Sequence, residues 1–159
     1  SMLLLGFGWA KPVPFNPGNF KNLKGGTILV ALAGPFANLL LAFVSFFLYA
    51  GLSIWIAVAG IDNAILNILC EMVFAIYSLD LGLMVFNLFP IPPLDGSKVL
   101  FALLPQKAYR FVLTYEKYGM VIMLVLIVTG VLTVPMNYII SWFNQLFVQM
   151  LNLVVQLFV

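Results

Sequence analysis

Residues 27–61 read TILVALAGPFANLLLAFVSFFLYAGLSIWIAVAGI, and no charged residue occurs among them. About 20 apolar residues are enough for a helix to cross the hydrocarbon core of a bilayer, so residues 28–49 are predicted to form one crossing. Over the whole chain 64% of residues are hydrophobic and 8% are charged, whereas soluble domains average about 45–50% and about 25%. So few charges cannot cover the surface of a soluble fold. We therefore predict an all-α integral membrane protein.

Three further apolar runs extend this prediction to the rest of the chain. Helices are expected at about 28–49, 64–89, 116–134 and 137–158, with a Pro-rich loop at 90–97 and a short amphipathic helix within 98–117. The last run carries polar residues at steps of three and four, which place them on one helical face: Asn137, Ser141, Asn144, Gln145, Gln149, Asn152 and Gln156. This run is either a fourth span, which we favour, or an interfacial helix. Residues 1–159 are thus predicted to form a single domain with three to four transmembrane helices.

Residues 6–26 contain repeated glycine and proline, which disfavour a helix. Between these breakers, Trp9, Val13 and Phe15 predict a short extended or hairpin loop at the membrane surface or re-entering the membrane, because irregular backbone is not tolerated against hydrocarbon.

All seven basic residues lie within 11–24 and 98–117. Two predicted crossings separate these segments, so both are expected on the same side, and the positive-inside rule makes that side cytoplasmic. The net charge of +2 is too small to indicate a nucleic-acid partner.

The sequence lacks most of the usual chemistry for metal binding. It has no histidine and one cysteine, Cys70, which excludes an internal disulfide and a metal site made of cysteines alone. Two acids, Glu71 and Asp80, fall within the second predicted helix, nine residues apart and on different faces. A charge at the depth of Asp80 is costly, so we expect its side chain to face protein or water, or to be protonated.

The most unusual segment is NLFPIPPLDG, residues 87–96. Three prolines in four positions end the second predicted span while it is still at membrane depth, and they are followed by a single carboxylate, Asp95. Two interpretations of Asp95 are open. It either caps the following helix, as aspartate commonly does, or it is a metal ligand or proton carrier at the mouth of a cavity.

Three segments together resemble the site-2 protease family, which are intramembrane zinc metalloproteases. Residues 87–96 resemble the second signature of that family. Residues 8–16, GWAKPVPFN, are similar to the loop after its zinc-binding helix, and residues 33–38, AGPFAN, are similar to the Gly-Pro-x-x-Asn start of its next helix. The three matches occur in the family's order.

This resemblance implies that Asp95 is the carboxylate ligand of a tetrahedral zinc site completed by two histidines and a water. It also implies that Asn87 lies near the site, where its amide holds substrate backbone or stabilises an oxyanion. An interhelical hydrogen bond is the equally weighted alternative for Asn87.

The other two segments receive supporting roles from the same resemblance. Asn38, with Gly34 and Pro35, is expected to fix helix packing. The stretch holding Trp9, Val13 and Phe15 is expected to pair as an extended edge with an unwound substrate.

The family's His-Glu-x-x-His signature is absent from the sequence. We therefore expect the downstream portion of a longer protease, which alone neither binds catalytic zinc tightly nor cleaves peptides; a natural inactive homologue is the alternative. Two competing functions remain: a pseudoprotease that binds transmembrane segments, and a small proton or cation transporter using Asp80 and Asp95.

The expected partners are membrane lipids and a transmembrane segment of a substrate protein. The expected location is a bacterial or archaeal cytoplasmic membrane, with residues 6–26 and 98–117 on the cytoplasmic side. The oligomeric state stays open.

Overall fold

The computed structural model describes residues 20–158, and the regular structure in this range is helical. The helices are α1 (Phe20–Ala59), α2 (Ala64–Asn87), α3 (Asp95–Leu103), α4 (Tyr109–Thr129) and α5 (Thr133–Phe158), with a 3-10 turn at Gln106–Ala108. No strand occurs among the described residues, and the all-α prediction is confirmed. The predicted extended or hairpin loop falls mainly on residues 6–19, which lie outside the described residues.

Four of the helices are long and apolar enough to cross a membrane. These segments are Gly25–Ala59, Ala64–Asn87, Arg110–Thr129 and Thr133–Leu157. Large apolar side chains such as Val58, Val128 and Leu157 point outward on them. Because lipid covers such a surface without cost, the prediction of a membrane protein with three to four spanning helices agrees with the structure.

Several helix boundaries differ from the predicted ones. α1 begins at Phe20 and includes Gly25 and Gly26, whereas these residues were expected in a loop. It also continues to Ala59 rather than ending near residue 49. Gly51 lies in the continued part of α1, where a break would leave backbone groups unsatisfied in an apolar environment at a greater cost than the roughly 1 kcal/mol that glycine costs a helix.

The amphipathic segment after the Pro-rich loop is also divided differently. Instead of one short helix in 98–117, α3 starts at Asp95 and ends at Leu103, and α4 already starts at Tyr109. Pro105 lies between them, and a proline there cannot continue α3 because it has no backbone N–H to donate.

The main hydrophobic core lies where α1, α2 and α5 meet. It contains Ala42 and Phe46 of α1, four residues of α2 and Phe147 of α5. Small residues on α1, Ala31, Ala42 and Ala50, are buried and allow close approach of neighbouring helices, as is common inside membranes.

A second cluster fixes the Pro-rich loop against the turn between α4 and α5. Ile91 and Leu94 of the loop pack with Leu132, and side chains of α4 surround them. Phe89 and Met136 contact both clusters, so the loop is continuous with the core of the bundle.

Candidate functional site

The Pro-rich loop is a compact, partly buried connection between α2 and α3. After Asn87 the chain makes short local hydrogen bonds: the amide of Ile91 donates to the carbonyl of Phe89 at 2.8 Å, and the amide of Leu94 donates to that of Ile91 at 2.9 Å. The Pro92–Pro93 peptide bond is cis. Ile91 and Leu94 are each only 7% exposed, so the loop is a fixed platform at the start of α3.

Asp95 does not cap α3. Leu94 occupies the N-cap position, with no side-chain cap bond, and Asp95 is the first residue of the helix. The first turn is instead held by Ser97, whose hydroxyl donates to the carbonyl of Leu94 at 2.7 Å. A carboxylate in this first turn interacts favourably with the helix dipole. The capping interpretation of Asp95 was therefore wrong.

The Asp95 carboxylate lies against α1 at Gly34. A Cβ atom built on Gly34 would lie 2.9 Å from Oδ2 of Asp95, so any larger residue at position 34 would push this oxygen away from its present place. The other oxygen, Oδ1, accepts a hydrogen bond from Nζ of Lys98 at 2.8 Å. The Asp95 side chain keeps 30% of its surface exposed. Two segments far apart in sequence, 33–38 and 87–96, thus meet at one carboxylate.

Two further glycines and a tyrosine hold the loop in place. The backbone of Gly96 lies against the carbonyl groups of Leu88 and Phe89, and a Cβ on Gly119 would lie 2.9 Å from the carbonyl oxygen of Pro92. Tyr115 donates its hydroxyl to the carbonyl of Pro90 at 3.0 Å. The contacts of Lys98, Tyr115 and Gly119 were missed in the sequence. An isolated glycine inside an apolar helical run, such as Gly119, was the available signal.

The structure shows no contact with Asp95 for the remaining predicted residues that it describes. Asn87 is the last residue of α2, is half-buried, and is separated from Asp95 by the loop. Asn38 follows Gly34 by one turn on the same face of α1 and is also half-buried, while Pro35 is buried within the helix. Trp9, Val13 and Phe15 lie outside the described residues. The functional roles of all six stay predictions.

The residues of this chain do not by themselves fit a zinc ion. In the part of the chain that the structure describes, no group of three or more His, Cys, Asp or Glu side chains comes together. The sequence contains no histidine, and the Sγ of Cys70 lies 3.1 Å from the Ser53 hydroxyl in the bundle. Zinc in proteins takes three or four protein ligands. Asp95 alone offers one.

The sequence of this chain matches a protein family and two named proteins over the range that contains the Pro-rich loop. The family model for peptidase family M50 matches residues 50–130, a range that includes Asn87, the Pro-rich loop and Asp95. The Bacillus subtilis protein named "Putative zinc metalloprotease YwhC" is 38% identical over 130 residues. The Methanocaldococcus jannaschii protein named "Putative zinc metalloprotease MJ0611" is 38% identical over 76 residues.

These matches cover 80% of this chain and 58% of the Bacillus subtilis relative, and 45% of this chain and 31% of the archaeal one. The chain therefore spans little more than half the length of the first relative. No solved structure matches it. Since the family model matches half of the chain and includes the loop that carries Asp95, the protein belongs to peptidase family M50, the site-2 proteases.

Proposed function

We propose that this chain forms the downstream part of a site-2-type intramembrane zinc metalloprotease, with Asp95 as the carboxylate ligand of the metal. The observation that carries the proposal is the contact of Asp95 with Gly34. It brings the Asp-Gly of one family-like segment onto the Gly-Pro of another. The Pro-rich loop, packed through Ile91 and Leu94, and the contact with Gly34 hold a partly exposed carboxylate in place, as a metal ligand requires.

The other ligands and the general base belong to residues outside this sequence. The absence of histidine and the single carboxylate at the site support this division. The length of the Bacillus subtilis relative, of which the match covers 58%, is consistent with it. This chain alone is therefore expected neither to hold catalytic zinc nor to cleave peptides.

The proposed substrate is a membrane-spanning segment of another protein. Asn87, at the end of α2, would contact the substrate backbone or an oxyanion. The stretch that contains Trp9, Val13 and Phe15 would pair with the unwound segment as an added strand. A substrate must be unwound for this pairing because a helix keeps its backbone groups bonded internally.

The proposed location is a bacterial or archaeal cytoplasmic membrane, with residues 6–26 and 98–117 facing the cytoplasm. The clustering of all seven basic residues in these segments supports that orientation.

The decisive experiment is Asp95→Asn in the full-length protein. The amide keeps the size of the side chain and removes the anionic ligand, so bound zinc, measured by elemental analysis, should be lost. Cleavage of a transmembrane reporter should fall by more than about 100-fold, since loss of a residue that only orients a ligand already costs about 10–100-fold.

Asp62→Asn is the matched control. Asp62 is exposed in the turn between α1 and α2, so zinc content and cleavage should stay at the wild-type level. Retained zinc and cleavage in Asp95→Asn would remove Asp95 from the metal site. A full-length wild type that binds transmembrane segments without zinc or cleavage would be a pseudoprotease, and ion flux in liposomes that depends on Asp80 would indicate a transporter.

A further inference from the structure

Lys98 contacts the carboxylate of Asp95 directly. Its ammonium group donates a hydrogen bond from Nζ to Oδ1 of Asp95 at 2.8 Å. Both residues belong to α3, and residues three apart lie on the same side of a helix. The second carboxylate oxygen, Oδ2, lies against α1 at Gly34. Each oxygen of Asp95 therefore has a defined neighbour, one from its own helix and one from α1.

The backbone that carries Asp95 is fixed without any contribution from Lys98. Leu94, the preceding residue, is 7% exposed, and its carbonyl accepts the hydroxyl of Ser97 at 2.7 Å. Gly96 packs closely against the backbone carbonyl groups that follow α2. These contacts do not restrain the torsion angles of the Asp95 side chain, which has several staggered rotamers available. The direction of the carboxylate is thus set by its own contacts.

Helix stability does not account for this ion pair. The Lys98 side chain keeps 54% of its surface exposed and the Asp95 side chain 30%. Pairs with this exposure add little to stability, because water and salt screen the charges and two flexible side chains lose freedom. Asp95 also gains from its place in the first turn of α3, where the helix dipole favours a carboxylate without a lysine. The main consequence of the pair is therefore the orientation of the carboxylate.

We propose that Lys98 is a positioning residue for the metal site, which holds one carboxylate oxygen so that Asp95 keeps a single orientation. This inference rests on the proposed function, in which Asp95 is a zinc ligand. Carboxylates that bind metals are commonly hydrogen-bonded by a neighbouring group, and loss of that neighbour lowers metal affinity or activity about 10–100-fold.

The charge of Lys98 acts in the opposite direction, because an ammonium group repels a metal cation. More than half of the Lys98 side-chain surface is exposed, and solvent and salt screen the repulsion of so exposed a charge. The gain from orientation therefore exceeds the loss from repulsion, and Lys98 strengthens zinc binding.

Lys98→Met in the full-length protein tests this role. Methionine keeps an unbranched apolar side chain and removes the ammonium donor. The dissociation constant for zinc, measured by competition with a chelating dye, should rise about 10–100-fold. The denaturant midpoint of the zinc-free protein should not change. Lys107→Met is the matched control, since Lys107 is an exposed lysine in the 3-10 turn after α3, and it should bind zinc as the wild type does.

Lys98→Arg distinguishes the donor from the bulk of the side chain. Arginine is always charged and donates to carboxylates, so this variant should recover most of the zinc affinity that Lys98→Met loses. Equal weakening in both variants would overturn the inference, because the effect would then not follow the donor.

Asp95→Asn, measured beside these variants, separates the two proposals. Loss of zinc in Asp95→Asn, together with wild-type or tighter zinc binding in Lys98→Met, would overturn the positioning role of Lys98 and leave the proposed function standing. Zinc retained in Asp95→Asn would overturn both. A parallel fall of zinc affinity and denaturant midpoint in Lys98→Met would show that the lysine stabilises the fold instead, and would also overturn the inference.

Discussion

The position of the Asp95 carboxylate depends on the absence of a side chain at Gly34. In the interior of α1, glycine costs roughly 1 kcal/mol of helix stability relative to alanine, yet a methyl group there would overlap with a carboxylate oxygen held 2.9 Å from the Cβ position. The absence of a side chain at Gly34 therefore allows the carboxylate of Asp95 to lie directly against α1, and a larger residue there would displace that carboxylate.

Gly34→Ala should lower the free energy of unfolding by up to about 1 kcal/mol, because the new methyl group displaces only the end of the Asp95 side chain. Denaturant titration of the protein in lipid bicelles measures this change in the free energy of unfolding. Gly51→Ala is the control in the same helix, since a Cβ at Gly51 meets nothing within 4 Å. It should be neutral or stabilising by up to about 1 kcal/mol. Equal destabilisation of both variants would contradict the proposed contact.

Gly119 has the corresponding role where α4 passes the Pro-rich loop. Gly119→Ala would place a methyl group against the side chain and the carbonyl oxygen of Pro92, neither of which can rotate away. We expect a loss of about 1–3 kcal/mol and faster cleavage of residues 90–94 in limited proteolysis. Gly82→Ala on α2 has open space around it, so it should be neutral or stabilising by up to about 1 kcal/mol and should leave the cleavage rate unchanged. An unchanged cleavage rate in Gly119→Ala would show that the loop does not depend on α4.

At the scale of elements, one hydrogen bond joins α2 to α5. Tyr77 donates to Asn144 within the aromatic cluster that includes Phe46 and Phe147. A double-mutant cycle with Tyr77→Phe and Asn144→Leu should give a coupling energy of about 0.6 kcal/mol and not more than about 1.7 kcal/mol, as for other interhelical bonds in membranes.

Tyr138→Phe is the control for that cycle. Tyr138 is 78% exposed on α5, so its removal should not couple to Asn144→Leu. A coupling energy near zero for Tyr77 and Asn144 would show that the aromatic packing, rather than the hydrogen bond, holds α5.

Sequence patterns predicted the helices better than their ends. The shortage of charge made the membrane class certain, and the apolar runs located each long helix. The ends were misplaced because glycine and proline were weighted as in water. Gly51 remains inside α1, whereas Pro105 follows the end of α3 because it has no backbone N–H to donate.

The site was only partly predictable for a related reason. Asp95 was found because three prolines made its surroundings unusual. Its contact with Gly34 on α1 was not predicted. A contact between residues 34 and 95 depends on how two helices pack together, and no local sequence pattern indicates that. The same holds for Gly119 and Pro92.

For the molecule as a whole, the distribution of basic residues predicts one orientation. Residues 24 and 107 should lie on the same side of the membrane, and Asn63, in the turn between α1 and α2, on the other. In a Cys70→Ser background, Lys24→Cys and Lys107→Cys should react with an impermeant maleimide from one side of sealed vesicles, and Asn63→Cys from the opposite side. Labelling of all three from one side would exclude two crossings between the basic segments.

The length of α1 links the site to the lipid that surrounds it. The apolar part of this helix has 35 residues and is therefore about 52 Å long, whereas the hydrocarbon core is about 30 Å thick. The tilt needed to hide it all exceeds the range of about 0–40° seen for membrane helices. This hydrophobic mismatch can be relieved by a kink at Pro35, by thickening of the bilayer or by cover from other protein segments. Because Asp95 lies against α1 at Gly34, we expect that a change in acyl-chain length that alters the tilt of α1 also changes the depth at which the carboxylate lies.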